Sequence, residues 1–178
     1  PLPPPLVNTS AINHIQHVIK KIVTPSWINS VPANYGESSA GTIKADEWHT
    51  LSTIYLPIAF VTLWGDTKQE DSEALKILDH TMALFQAVTI VCHYTMTPTR
   101  AEKYCHLMRE WVDGLHVLHP HTQKHKPRTN IHASFHIYDF LILFGPVISW
   151  WCFPFECLIG SLQKFKTNNH IGGKFLHK

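Results

Sequence analysis

From Ser10 the apolar residues fall at Ile12, Ile15, Val18, Ile19, Ile22 and Val23. This is the spacing of one helix face, with Ser10 in position to cap its start. Thr24-Pro25 ends that helix, because the residue before a proline is driven out of the helical region. Residues 25–43 are rich in Ser, Asn, Pro and Gly and predict a long irregular loop. A loop of that length inside a compact domain is uncommon, and is either functional or wrapped on a surface. The pattern turns helical again over Ala45–Trp64, with Trp48, Leu51, Tyr55 and Ile58 on one stripe and a kink expected at Pro57. Gly65-Asp66-Thr67 ends it. Asp71-Ser72 caps a helix expected to reach about Tyr94. Thr97-Pro98 is a cap followed by proline at the first helical position. The helix after it carries Tyr104, Met108, Trp111, Leu115 and Leu118.

His119–Asn130 is a basic, polar connector. Thr129 or Asn130 is expected to cap a helix over about Ile131–Phe144, which Gly145-Pro146 ends. A last helix is expected over about Ser149–Phe165, with Pro154 in its first turn or bending it. Residues 168–178 form a polar tail. No stretch alternates with period two, and no internal repeat is visible. The expectation is an all-α fold: an irregular multi-helix domain of about six helices with long N-terminal and connecting loops. Two regions are expected: a Pro-rich start, short helix and loop over 1–44, and a helical domain over 45–178.

The totals narrow this picture. The chain has 178 residues, 44% of them hydrophobic and 16% charged, which suits one globular domain and argues against wholesale disorder. The formal charge of +2 is too small to imply nucleic-acid binding by itself. Fourteen His could add positive charge under acid conditions. The four Cys form no Cys-x-x-Cys pair, and a reduced, intracellular setting is expected. Trp48–Gly65, His80–Thr99 and Phe140–Phe155 are long and uncharged, but are broken by polar residues, Gly or Pro. Core helices are therefore expected, and no membrane partner. The Pro-Leu-Pro-Pro-Pro start, with the first Met at Met82, reads as a piece of a longer protein.

Glu156 is the sharpest chemical candidate. It is the lone acid in the run from Gly145 to Glu156, which also holds Trp150, Trp151, Phe153, Pro154 and Phe155. A carboxylate among so much aromatic surface is costly unless it has a partner or a task. The bland alternative is an acid near a helix N-terminus, favoured by the dipole. His132 and His136 share one helix face, with Asp139 three residues on, a spacing that holds a metal in some proteins. A half-buried polar face, with a His hydrogen-bonded to Asp139, is the alternative. Lys124, Lys126 and Arg128 in the connector are candidate contacts to DNA phosphates; a solvated loop would look the same. Cys152 and Cys157 have poor spacing for zinc and are expected in the core. Trp48, Trp64, Trp111, Trp150 and Trp151 are expected to fill it too.

Several blocks resemble one family when taken in order. They are Lys44-Ala-Asp-Glu-Trp48 followed by Tyr55-Leu-Pro57, Asp79-His-Thr-Met-Ala-Leu84, Met96-Thr-Pro-Thr-Arg100, His132-Ala-Ser-Phe-His136, the Gly145–Glu156 run, and Gly160-Ser-Leu-Gln-Lys164 with Asn168-Asn169. Together they resemble the C-terminal region of CACTA (En/Spm-type) DNA transposases, particularly the versions of mushroom genomes. The resemblance implies a nuclear protein that binds transposon ends and cuts and joins DNA with divalent Mg or Mn. The metals activate water or a 3′-hydroxyl and stabilise the leaving oxygen. It implies that Glu156 is the last metal-binding carboxylate, with Trp150, Trp151 and Pro154 as motif packing and the other two acids upstream of Pro1. The partners implied are transposon-end DNA, an upstream catalytic region and self-association. The chain departs from the family pattern at Trp150, Cys157 and His93, where relatives carry Arg. Each departure removes a bidentate phosphate donor. A non-catalytic interaction or assembly module, from a decayed transposon copy, is the competing expectation.

Overall fold

The computed structural model describes residues 9–65, 73–120 and 128–165. Most of these residues are helical, with no strand among them. Helix α1 spans Thr9–Lys21 and starts earlier than Ser10 suggested, so Ser10 lies inside the first turn. Helices α2 (Ala45–Thr50) and α3 (Leu56–Trp64) are one rod joined by a π turn over Leu51–Tyr55. Then come α4 (Glu73–Val91), α5 (Pro98–Leu118), α6 (Thr129–Phe144) and α7 (Phe153–Leu162). With α2 and α3 taken as one rod, the all-α expectation of about six helices holds.

The π turn is the answer of the chain to Pro57. Proline has no N–H to give and its ring presses on the preceding turn. Widening that turn relieves the pressure. The Leu56 N–H accordingly reaches back five residues to the Leu51 carbonyl. The His49 carbonyl, at the entry to the widened turn, accepts from the hydroxyls of Thr53 (2.7 Å) and Ser52 (3.2 Å).

Helix ends follow local chemistry, with corrections. The Thr97 Oγ1 accepts from the Arg100 N–H at 3.3 Å, and Pro98 opens α5 as expected. Helix α6 begins at Thr129 with Arg128 as its cap, so neither Thr129 nor Asn130 serves that role. Gly145, at φ +76°, closes α6 with its N–H on the Leu141 carbonyl. Helix α7 is shorter than expected because Val147–Ser149 forms a separate 3-10 turn and Pro154 sits at the very start of the helix. Helix α4 stops at Val91 rather than Tyr94.

Two apolar clusters form the core. The first joins Ile15, Val18 and Ile19 of α1 and Val31 of the loop to Leu51, Tyr55, Phe60 and Trp64, with Leu78 and Phe85 of α4. The second joins Ala83, Ala87 and Val91 of α4 to Ala101, Tyr104, Leu107 and Met108 of α5 and Leu141 of α6. Helix α4 is the wall they share. The long loop after α1 is wrapped on the surface. The buried Gln16 amide donates to the Tyr35 carbonyl (3.1 Å) and the Glu37 carboxylate (3.0 Å), and Val31 is inserted in the core. Of the tryptophans expected inside, Trp64 is buried but Trp48 is about half exposed, its ring edge-on to that of Tyr35. Cys152, also expected in the core, is exposed.

Between helices α4 and α5 the buried His80 packs against Gly114. The His80 Nε2 lies 2.6 Å from the Trp111 carbonyl oxygen, which can only accept, so this nitrogen carries the proton. The His80 ring also stacks on that of Trp111, with centroids 6.0 Å apart. A Cβ on Gly114 would stand 2.5 Å from the His80 Cδ2. Gly114→Ala should therefore destabilise the fold by roughly 1–3 kcal/mol despite the better helix propensity of alanine. Urea unfolding checks this. In the His80→Ala background the same change should cost much less, giving a measurable coupling energy.

Candidate functional site

A cleft of about 910 Å³ opens between α2, the loop ahead of it and α7. Its walls bring together segments far apart in sequence. Lys44, Asp46 and His49 come from the start of the α2 rod, Trp27 and Asn29 from the long loop, and Trp151, Phe153, Glu156 and Lys164 from the C-terminal segment. Two of the family-resembling blocks, Lys44–Trp48 and the Gly145–Glu156 run, thus line one cleft.

Each wall is held by identifiable bonds. The Lys44 N–H donates to the Glu47 carboxylate at 2.7 Å, which fixes the entry into α2. The Asn29 Nδ2 donates to the Asp46 carboxylate at 2.9 Å and ties loop to helix. On the opposite side, Trp151 stacks on Phe153 with centroids 4.8 Å apart and meets the edge of His49 at 6.5 Å. The Trp150 indole N–H donates to the Gly145 carbonyl at 3.2 Å, and its ring packs against Phe140. Pro154 lies in the first turn of α7. The two tryptophans therefore face different ways: Trp151 lines the cleft, whereas Trp150 braces the turn onto α6.

Glu156 sits in that first turn, exposed, with its N–H on the Cys152 carbonyl at 2.9 Å. Its carboxylate forms no hydrogen bond or ion pair with a described residue. Asp46 and His49 line the same cleft, yet among the described residues no group of three His, Cys, Asp or Glu is placed to hold a metal ion. Within the cleft Glu156 is thus a carboxylate without a described partner, and not part of a complete ligand set.

His132, His136 and Asp139 do come together, on the outer surface of α6. The two Nε2 atoms are 3.2 Å apart, and the His136 Nδ1 is 3.8 Å from the Asp139 carboxylate. All three are exposed, and they form a surface polar row rather than a pocket. Arg128 is exposed at the start of α6. Lys124 and Lys126 lie outside the described residues. Exposed Trp27 and Tyr94 on the cleft were not singled out by the sequence. Their only signal was a bulky aromatic beside turn-forming residues.

Burial sets the titration of several groups. The aromatic wall displaces water from His49, so its pKa falls below the ordinary 6.5. Burial raises the pKa of Tyr35, Cys92 and Tyr104, and the Cys105 thiol adds to the effect on Tyr104. The buried Tyr104 hydroxyl donates to the Ser134 carbonyl at 2.8 Å and so fastens α5 to α6.

No family model, curated protein or solved structure matches the chain.

The depressed pKa of His49 has a definite sign. Between the folded value and 6.5 the unfolded chain binds more protons, so stability rises with pH through that window and is lost as pH falls below 6.5. An NMR titration should place the His49 midpoint below 6.5, and Trp151→Ala should move it back up.

Proposed function

We propose that this chain is the helical C-terminal part of a CACTA-like transposase and that Glu156 is the carboxylate it contributes to the metal site of the whole protein. The observation that carries this reading is the position of Glu156: exposed on the wall of a large cleft, without a partner among the described residues, beside a second family-resembling block. No backbone amide or cation among the described residues holds it, although its place in the first turn of α7 also suits a structural acid favoured by the helix dipole. In this reading the remaining metal ligands, for Mg or Mn, come from an upstream catalytic region, because the described residues hold no set of three. The protein would then act in the nucleus on transposon-end DNA, and the exposed Arg128 would be available to a DNA phosphate. Taken alone, the chain is expected to lack nuclease activity.

A second reading has its own observation. Helix α7 and the end of α6 expose a run of large apolar side chains that nothing in the described structure covers. This favours a non-catalytic assembly module with Glu156 as a surface acid. The two readings part on one substitution. In an active full-length relative, Glu156→Gln at the matching position should abolish strand cleavage, leaving thermal stability unchanged, if the first reading holds. Cleavage at the ordinary rate would remove Glu156 from the site and leave the assembly reading.

A further inference from the structure

On the exposed side of α6 two imidazoles meet nitrogen to nitrogen. His132 and His136 are about one turn apart, so they share a helix face. Sharing a face does not fix where the ring nitrogens point, because exposed side chains are free to splay into water. Here the two Nε2 atoms stand 3.2 Å apart, with the rings crossed at 80° and their centroids 4.9 Å apart. Two nitrogens bound to one tetrahedral ion of the zinc class, each roughly 2.0–2.1 Å from it, stand about 3.3 Å apart. The pair therefore already has the bite of a two-imidazole chelate. A proton shared between the nitrogens holds the same pose in the free protein, and an ion would take its place.

Asp139 supplies a second observation. Its carboxylate lies 3.8 Å from Nδ1, the other nitrogen of the His136 ring. A carboxylate draws the proton to the nitrogen it faces, which leaves the Nε2 lone pair of His136 turned toward His132. A carboxylate behind the ring is also what orients most metal-binding histidines. The backbone beneath is fixed. Phe135, Ile137 and Tyr138 pack on the second core cluster, and the Ser134 carbonyl accepts from the Tyr104 hydroxyl at 2.8 Å. Donors mounted on a helix held in this way lose little freedom when they close on an ion. The His136 and Asp139 side chains are 56% and 62% exposed, so an ion reaches them directly from water.

We propose that His132 and His136 bind a divalent ion of the zinc class through their Nε2 atoms, with Asp139 as the positioning residue behind His136. Imidazole donors suit zinc, nickel and copper, whereas magnesium and manganese take oxygen ligands. Two protein donors converge here, in keeping with the absence of a group of three among the described residues, and water completes the shell. None of the three residues lines the cleft that holds Glu156. The site therefore stands or falls independently of the transposase reading.

The test is calorimetric titration of the whole, metal-stripped chain with zinc chloride. The chain holds fourteen His and four Cys, so the readout is the change on substitution rather than the total uptake. His132→Ala and His136→Ala should each remove one equivalent of zinc bound in the micromolar range. Each should also reduce the rise in Tm that zinc gives the unsubstituted chain. Far-UV helicity without metal should be unchanged, because both side chains are exposed. Asp139→Ala should keep that equivalent but weaken it about tenfold or more. His106→Ala, exposed on α5, should bind like the unsubstituted chain. Zinc uptake unchanged in both His132→Ala and His136→Ala overturns the site, as does a lost equivalent that had bound only at millimolar zinc. Full affinity in Asp139→Ala overturns the positioning role.

Discussion

The close contact of α4 with α5 is the constraint on which the rest of this fold depends. It is possible only because the facing residues are small: Ala83 and Ala87 on one helix, Ala101 and Gly114 on the other. Close backbones let the buried His80 reach a main-chain carbonyl of the neighbouring helix, and that bond removes the cost of burying its ring nitrogen. Once α5 is fixed in this way, the other side of α4 is free to carry Leu78 and Phe85 into the cluster built by α1 and the α2–α3 rod. Two modest cores thus become one body through a shared helix. Neither cluster alone would offset the conformational entropy of the segments it orders.

The cleft follows from how that body is finished. Pro57 is accommodated by a π turn, and α2 ahead of that turn carries His49 on the cleft. The long loop, pinned by Gln16 and Asn29, builds one rim. The other wall is α7, held by aromatic contacts of Trp151 and Trp150 rather than by a buried stripe of its own. The carboxylate of Glu156, on the cleft, and the exposed apolar stripe of Phe155, Leu158, Ile159 and Leu162 are therefore two sides of one ten-residue helix.

Much of the fold was legible in periodicity and punctuation. The helix spacing from Ile12 to Val23, the Thr97-Pro98 start and the Gly145 stop each reflect local sterics or a short-range hydrogen bond, and such signals survive folding. The misses share a cause. Trp48 and Cys152 read as core because they are apolar, but hydrophobicity states a preference, not which face a neighbour will cover. The end of α4 at Val91 was overrun because nothing local in His93-Tyr94 forbids another turn.

The candidate site divides the same way. Glu156 stood out from its aromatic surroundings, and the pairing of His132, His136 and Asp139 follows from helical spacing alone, since residues three and four apart must be neighbours. By itself the sequence determined the all-α class, the main helices and the residues worth watching, because those depend on interactions within a turn or two of chain. Only the tertiary structure decided that Lys44–Trp48 meets Glu156 across a cleft, that His80 needs Gly114, and that α7 turns its apolar stripe outward. Those depend on which distant surfaces meet, and no local propensity encodes that choice.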